Sequence, residues 1–399
     1  MISVELAERI AAAIELPDWV IDKSAALAYE CFGSAGDAFE DRVRVNFPAA
    51  HAAVEQWMRE QAHPFAARLP YLNPWHGIAS ILGYLGLILA FRVFGRVLGK
   101  FTCRSLGLVH NLGLHLLSLY MSLGLMISAR AAGYSLWNNA VGTSPAEWRI
   151  GKLIWLFYVS KVVEWMDTVI MLLKQNYHQV SFLHMYHHTT IFVLWWLASL
   201  AAPGGDSYYS AMVNSGIHVV MYGYYFLTLL FPTGVVRNVL NKFKFVITKS
   251  QMTQFAFNCM QSAYDLLWVP RAELKYSATL LQILFWYMIS LLVLFGNFLA
   301  KNNTKKSPRS HHHHHQITPV LPQETETTAR KGSGSSSDST TTAGAKVGMT
   351  KAQLEQLKKE QAAQAKVLAR KGSNGSDKTN TIRTSSAQPL NHEPVFRKN

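Results

Sequence analysis

From residue 75 to residue 300 the chain alternates apolar runs of about 20 residues with short breaks that carry charge, glycine or proline. A run of that length crosses a hydrocarbon core of about 30 Å as an α-helix. The pattern predicts seven such helices, over 76–98, 106–128, 150–173, 182–202, 208–231, 245–269 and 277–300, with Pro203, Pro232 and Pro270 each ending a run. The fold expected is therefore all-α, a polytopic bundle of about seven transmembrane helices. Three regions follow: an N-terminal lumenal or interfacial segment (1–74), the membrane domain (75–300), and a tail (301–399).

Charge orients the set. Arg92, Arg96, Lys100 and Arg104 follow the first run, Arg237, Lys242 and Lys244 separate the fifth from the sixth, and Lys301, Lys305 and Lys306 follow the seventh. With seven spans these clusters share one side, which the positive-inside rule makes cytosolic. The tail is rich in Ser, Thr, Gln, Gly and Lys and lacks the apolar residues that would offset ordering, so disorder is expected there. It holds 17 Lys+Arg against 7 Asp+Glu, about +10 of the formal +14. Basicity concentrated beside a membrane span suits anionic lipid and gives little support to nucleic-acid binding.

The opening "MISVELAERIAAAIELPDWV" is acidic and amphipathic, unlike a signal peptide, so the first span is expected to direct insertion. The three cysteines, Cys31, Cys103 and Cys259, suggest neither a disulfide framework nor a zinc ribbon.

Polar residues inside the apolar runs carry the chemistry. "KVVEWMDT" sets Lys161, Glu164, Asp167 and Thr168 on one helical face, where each mid-membrane charge costs roughly 2.5–3.5 kcal/mol. A self-neutralising pair near the interface, with Lys161 snorkelling, is the simpler account of that face; a watery functional cavity is the other. "QVSFLHMYHH" follows Gln179 and Ser181 with His184, His187 and His188 on a single face. "NSGIHVVMYGYY" aligns Asn214, His218, Met221, Tyr222 and Tyr225, and "TKSQMTQF" aligns Thr248, Gln251 and Gln254. One such stripe is ordinary helix-helix glue. Stripes on four consecutive spans point instead to convergence on an interior cavity.

HxxHH on a membrane helix also suggests a di-iron desaturase or hydroxylase. Two irons need several histidine boxes, and this chain has one, with His110, His115, His178 and His218 scattered around it. No metal site is therefore expected. The run His311–His315 reads as low complexity. A seven-span receptor or transporter leaves the histidine cluster unexplained.

In order and spacing the four stretches resemble the motif series of the ELO-type elongases of very-long-chain fatty acids, across residues 75–300, and "HNLGLHLLS" at His110 is similar to a further family motif. Gln179, five residues before His184, resembles the branch that acts on polyunsaturated chains. The resemblance implies condensation of an acyl-CoA with malonyl-CoA, loss of CO2, and a 3-ketoacyl-CoA product. It implies His187 as the nucleophile, with His184, His188 and His218 as its catalytic companions. It places Lys161, Glu164, Asp167, Gln179, Asn214, Tyr222, Gln251 and Gln254 around the substrates, and an acyl-chain tunnel inside the bundle. Cys259 sits in no polar motif and is given no role. No cofactor is implied beyond the substrates. The implied setting is the endoplasmic reticulum membrane with the C-terminus cytosolic. The implied partners are a ketoacyl-CoA reductase, a hydroxyacyl-CoA dehydratase and an enoyl-CoA reductase, and a homodimer is compatible. The end "FRKN" lies one place from a dilysine signal.

Overall fold

A computed structural model describes residues 2–304, all helix and connection with no strand among them. The basic tail from residue 305, with His311–His315 and the "FRKN" end, lies outside the described residues. Three helices precede the bundle: α1 (Val4–Ala13), α2 (Asp18–Asn46) and α3 (Pro48–Gln61). The bundle itself is α4 (Pro74–Phe94), α5 (Arg104–Ala131), α6 (Pro145–Leu173), α7 (Phe182–Ala201), α8 (Ser207–Leu230), α9 (Gly234–Leu267) and α10 (Ala278–Thr304). All seven expected helices form. The largest difference is α9, which begins eleven residues before the expected 245 and takes in Arg237, Lys242 and Lys244. Those charged residues depress hydropathy without opposing helix, since Lys and Arg are good helix formers.

By length and composition α4, α5 and residues Ala278–Lys301 could cross a membrane. The other bundle helices are more polar because they carry the stripes read from the sequence. Leu89 on α4, Val109 on α5 and Trp286 on α10 stand exposed, an arrangement that lipid, and not water, accommodates.

Packing joins both neighbours in sequence and distant helices, with α5 along α8, α9 along α10, and α6 between α5 and α7. Gly223 lets α8 approach α5, for a Cβ there would lie 3.1 Å from the His115 ring. Helix α6 is the spine. Ile150, Ile154, Trp155, Phe157 and Tyr158 are all fully buried, because neighbouring helices surround the first half of α6 and its charged residues find partners inside the protein. Each large aromatic chain contributes roughly 1.5–3 kcal/mol on burial, and its polar tip is satisfied too. The Trp155 indole donates to Pro70 O at 2.8 Å, the Tyr158 hydroxyl to Tyr71 O at 3.0 Å, and the Trp196 indole to Leu72 O at 2.9 Å. These bonds fix the connection that leads into α4.

The N-terminal segment is tied to the bundle by charge. Arg149 and Lys152 on α6 are buried, and their carboxylate partners come from residues before α3. Arg149 meets Glu8; Lys152 meets Glu15, and Asp18 at 3.2 Å, and donates to Leu16 O at 2.8 Å. Farther along, α2 packs on α4, where Asp37 bonds His76 at 2.8 Å and Glu40 accepts from Asn73 at 2.8 Å.

Candidate active site

Helix α7 starts immediately before the histidines. The Ser181 side chain caps it by accepting from the backbone N–H of His184 at 3.2 Å, so the first turn holds His184 and the second His187 and His188. The rings lie close together, with centroids 4.3 Å apart for His184–His188 and 5.6 Å for His187–His188.

The neighbouring helices hold the His184 and His187 rings by their edges, and His188 by its backbone, leaving its buried Nδ1 without a partner in the protein. Thr168 on α6 bonds His184 Nε2 at 2.7 Å and the Tyr84 hydroxyl of α4 at 2.9 Å, a relay across three helices. The Trp165 indole donates to His188 O at 3.2 Å and its ring stacks on Tyr84 at 4.8 Å. Tyr287 on α10 lies 3.4 Å from His187 Nδ1. No sequence signal marked Tyr84 or Tyr287, because each sits in a run that reads as ordinary lipid-facing helix.

The acidic stripe of α6 has two separate functions. Lys161, 1% exposed, donates to Glu164 at 2.6 Å and lies 3.8 Å above the Phe157 ring. The pair is indeed a self-neutralising i,i+3 contact, yet Lys161 is buried in protein and does not snorkel to an interface. His218 Nδ1 on α8 stands 3.4 Å from Glu164 on the same carboxylate oxygen. Asp167 serves a second cluster, accepting from the Tyr222 hydroxyl at 2.8 Å and bonding His110 Nε2 at 3.0 Å. The His110 motif thus reaches the site through a carboxylate.

Two cavities meet here. A polar chamber is bordered by Glu164, Asp167, Gln179, His184, His187, His188, Asn214, His218, Tyr222, Gln251 and Gln254. Every site residue expected from the sequence lies on it except Lys161, which sits behind Glu164. Lys174, Asn176, Lys244 and Thr248 border it as well, at the bundle end where the cationic connections cluster. A narrow apolar pocket runs between α7 and α8–α10 past Ile191, Trp195, Phe255, Leu284 and Leu291 to Asp206 and Tyr276. His187, Asn214, Gln254 and Phe255 border both cavities. Asn214 donates to Gln254 at 3.2 Å there. At the far end Asp206, in the α7–α8 connection, accepts from the Asn139 backbone and side-chain N–H groups at 2.8 Å each. Burial raises its carboxyl above the usual range, and those donors pull it back only in part.

Cys259 is buried with its sulfur 3.7 Å from Phe285 O and borders neither cavity. Among the described residues the side chains grouped closely enough to hold a metal ion are Asp37, Glu40 and His76, and Glu40, His51 and Glu55, all away from the histidine box.

Comparison with known proteins agrees with the motif reading. Residues 69–311 match the ELO: GNS1/SUR4 family. Fatty acid elongase 6 of Leishmania major is 70% identical over 375 residues, which cover 94% of this chain and 96% of that protein. Very long chain fatty acid elongase 5 of Xenopus tropicalis is 38% identical over 207 residues, 52% of this chain and 68% of its own length. The human protein of the same name is 37% identical over 207 residues, covering 52% and 67%.

Proposed function

Given that the chain belongs to the ELO: GNS1/SUR4 family and is a condensing enzyme of fatty-acid elongation, an acyltransferase, we propose that it joins a polyunsaturated long-chain acyl-CoA to malonyl-CoA through an acyl group carried on His187. The observation that carries this reading is the position of His187 on the border of the polar chamber and the apolar pocket. A thioester set there has its hydrocarbon in one cavity and its CoA in the other.

The chemistry follows from the tautomer. With the Nδ1 proton directed to the Tyr287 oxygen, His187 Nε2 keeps its lone pair. Nε2 attacks the thioester carbonyl, the C–S bond breaks, and CoA leaves as a thiol with the proton that Nδ1 gives up, a neutral acyl-imidazole remaining. Malonyl-CoA then loses CO2, and the electron pair of that bond becomes the enolate. Its carbon attacks the acyl carbonyl, the C–N bond breaks, and the imidazole leaves by taking a proton back from solvent, which yields 3-ketoacyl-CoA and restores neutral His187. The protein's task is to stabilise negative charge on oxygen, for which His184, His188, His218 and Asn214 are the donors at hand. Lys174 and Lys244 suit the phosphates of CoA at the chamber mouth.

In this reading α4–α10 are seven spans, the apolar pocket is the acyl tunnel, and the cationic end with the tail faces the cytosol of the endoplasmic reticulum membrane. Residues 1–74 form a lumenal segment docked on the membrane domain. The product supplies a ketoacyl-CoA reductase, and then the hydroxyacyl-CoA dehydratase and enoyl-CoA reductase, so the enzyme itself needs no cofactor. Gln179 on the chamber wall supports the polyunsaturated branch.

The test is His187→Ala in purified protein, with labelled malonyl-CoA and an acyl-CoA. Condensation should fall to background while the variant stays folded, and mass spectrometry of wild type quenched without malonyl-CoA should find the acyl group on His187. Wild-type turnover in the variant, or an acyl group mapped elsewhere, removes the nucleophile assignment.

A further inference from the structure

Two buried polar atoms on the wall of the apolar pocket have no partner inside the protein. They are the Ser210 hydroxyl and the Asn258 side-chain oxygen. Both residues border the pocket, and they are 3% and 1% exposed. Helices α8 and α9 supply one each. Asn214 and Gln254 form the rung next to His187; Ser210 is four residues before Asn214 and Asn258 four residues after Gln254. In antiparallel neighbours those steps run the same way, about 6 Å deeper into the pocket. The facing wall is Ile191, Leu194, Leu284 and Leu291.

A buried donor or acceptor left unpaired costs about 1–3 kcal/mol, and a methylene group returns nothing to it. A carbon–carbon double bond does return something. Its π cloud accepts a weak hydrogen bond from O–H or N–H, as an aromatic face does. The Asn258 amide can turn its nitrogen to the pocket at little loss, since that nitrogen's contact is the Met288 sulfur at 3.8 Å.

We infer that Ser210 and Asn258 form a donor rung that selects acyl chains bearing cis double bonds in the part of the chain nearest the thioester, and disfavours saturated chains. This rests on the reading of the pocket as the acyl site and gives its polyunsaturated preference a physical cause. Selection acts mainly through the unsaturated substrate, which gives the two already buried atoms a partner, whereas a saturated chain leaves them unpaired.

The experiment uses the full-length purified enzyme, fixed malonyl-CoA, and two acyl-CoAs of equal length, one polyunsaturated from near the carboxyl end and one saturated. The quantity read is the ratio of their kcat/KM values in wild type, Ser210→Ala, Asn258→Leu and Ser210→Thr. Each of the first two substitutions should lower the ratio about three- to fivefold, chiefly by lowering turnover of the unsaturated chain while that of the saturated chain holds, whereas general damage to the fold lowers both. Ser210→Thr, which keeps the hydroxyl, should retain the wild-type ratio. A large wild-type ratio that Ser210→Ala and Asn258→Leu leave unchanged overturns the rung alone. A wild-type ratio near one overturns the polyunsaturated reading itself.

Discussion

Replacing Glu164 by Gln tests whether Glu164 is the counter-charge on which the buried Lys161 depends. Lys161 and Glu164 are 1% and 2% exposed and 2.6 Å apart, with the nearest other carboxylate, Asp167, committed to Tyr222 and His110. The neutral amide would leave the ammonium, itself 1% exposed, without a counter-charge. Breaking one partner of such a pair costs about 3–5 kcal/mol. The Phe157 face, 3.8 Å from the ammonium, returns about 1 kcal/mol of that. A lone ammonium can also shed its proton, which at neutral pH costs an ordinary lysine about 5 kcal/mol and so sets a ceiling. A net loss of about 2–4 kcal/mol corresponds to a melting temperature lower by roughly 5–15 °C. The double variant Lys161→Met, Glu164→Leu removes both charges at similar volume and should melt close to wild type. Thermal unfolding in detergent, followed by size-exclusion chromatography or tryptophan fluorescence, reads both. Because Glu164 also borders the chamber, melting and not turnover is the deciding measurement. Equal melting of Glu164→Gln and wild type, or a double variant no more stable than the single one, would mean that the ammonium has another counter-charge or a path to water.

Two other outcomes are expected. Neutralising the partners of Lys152 with Glu15→Gln and Asp18→Asn should release the N-terminal segment: limited proteolysis should cut before residue 21 faster than in wild type, with stability lower by about 1–3 kcal/mol, less than for a fully buried pair because both acids are partly exposed. Thr168→Val breaks the relay to His184 and should lower kcat roughly tenfold with KM for malonyl-CoA little changed; Tyr84→Phe keeps the Thr168–His184 bond and should be milder, so equal losses in the two would discount the relay.

The helices and the candidate residues were legible in the order of amino acids alone. Charge and amide positions inside apolar runs are costly enough to be informative wherever they occur, and their helical spacing told which ones share a face. That reasoning brought His184, His187, His188, His218 and Gln254 to one cavity. Partners across helices were not legible. Tyr84 and Tyr287 lie in runs whose hydropathy is that of any lipid-facing segment, and nothing local marks the hydroxyl that turns inward. Lys161 read equally well as an interfacial snorkel, since spacing cannot tell depth. Nor could pattern show that the acids in residues 8–18 neutralise cations more than 130 positions later on α6. Periodicity is a property of one helix. Pairing, the junction of two cavities at His187, and the unpaired atoms of Ser210 and Asn258 depend instead on how helices are set against one another, and that is fixed only when the bundle packs.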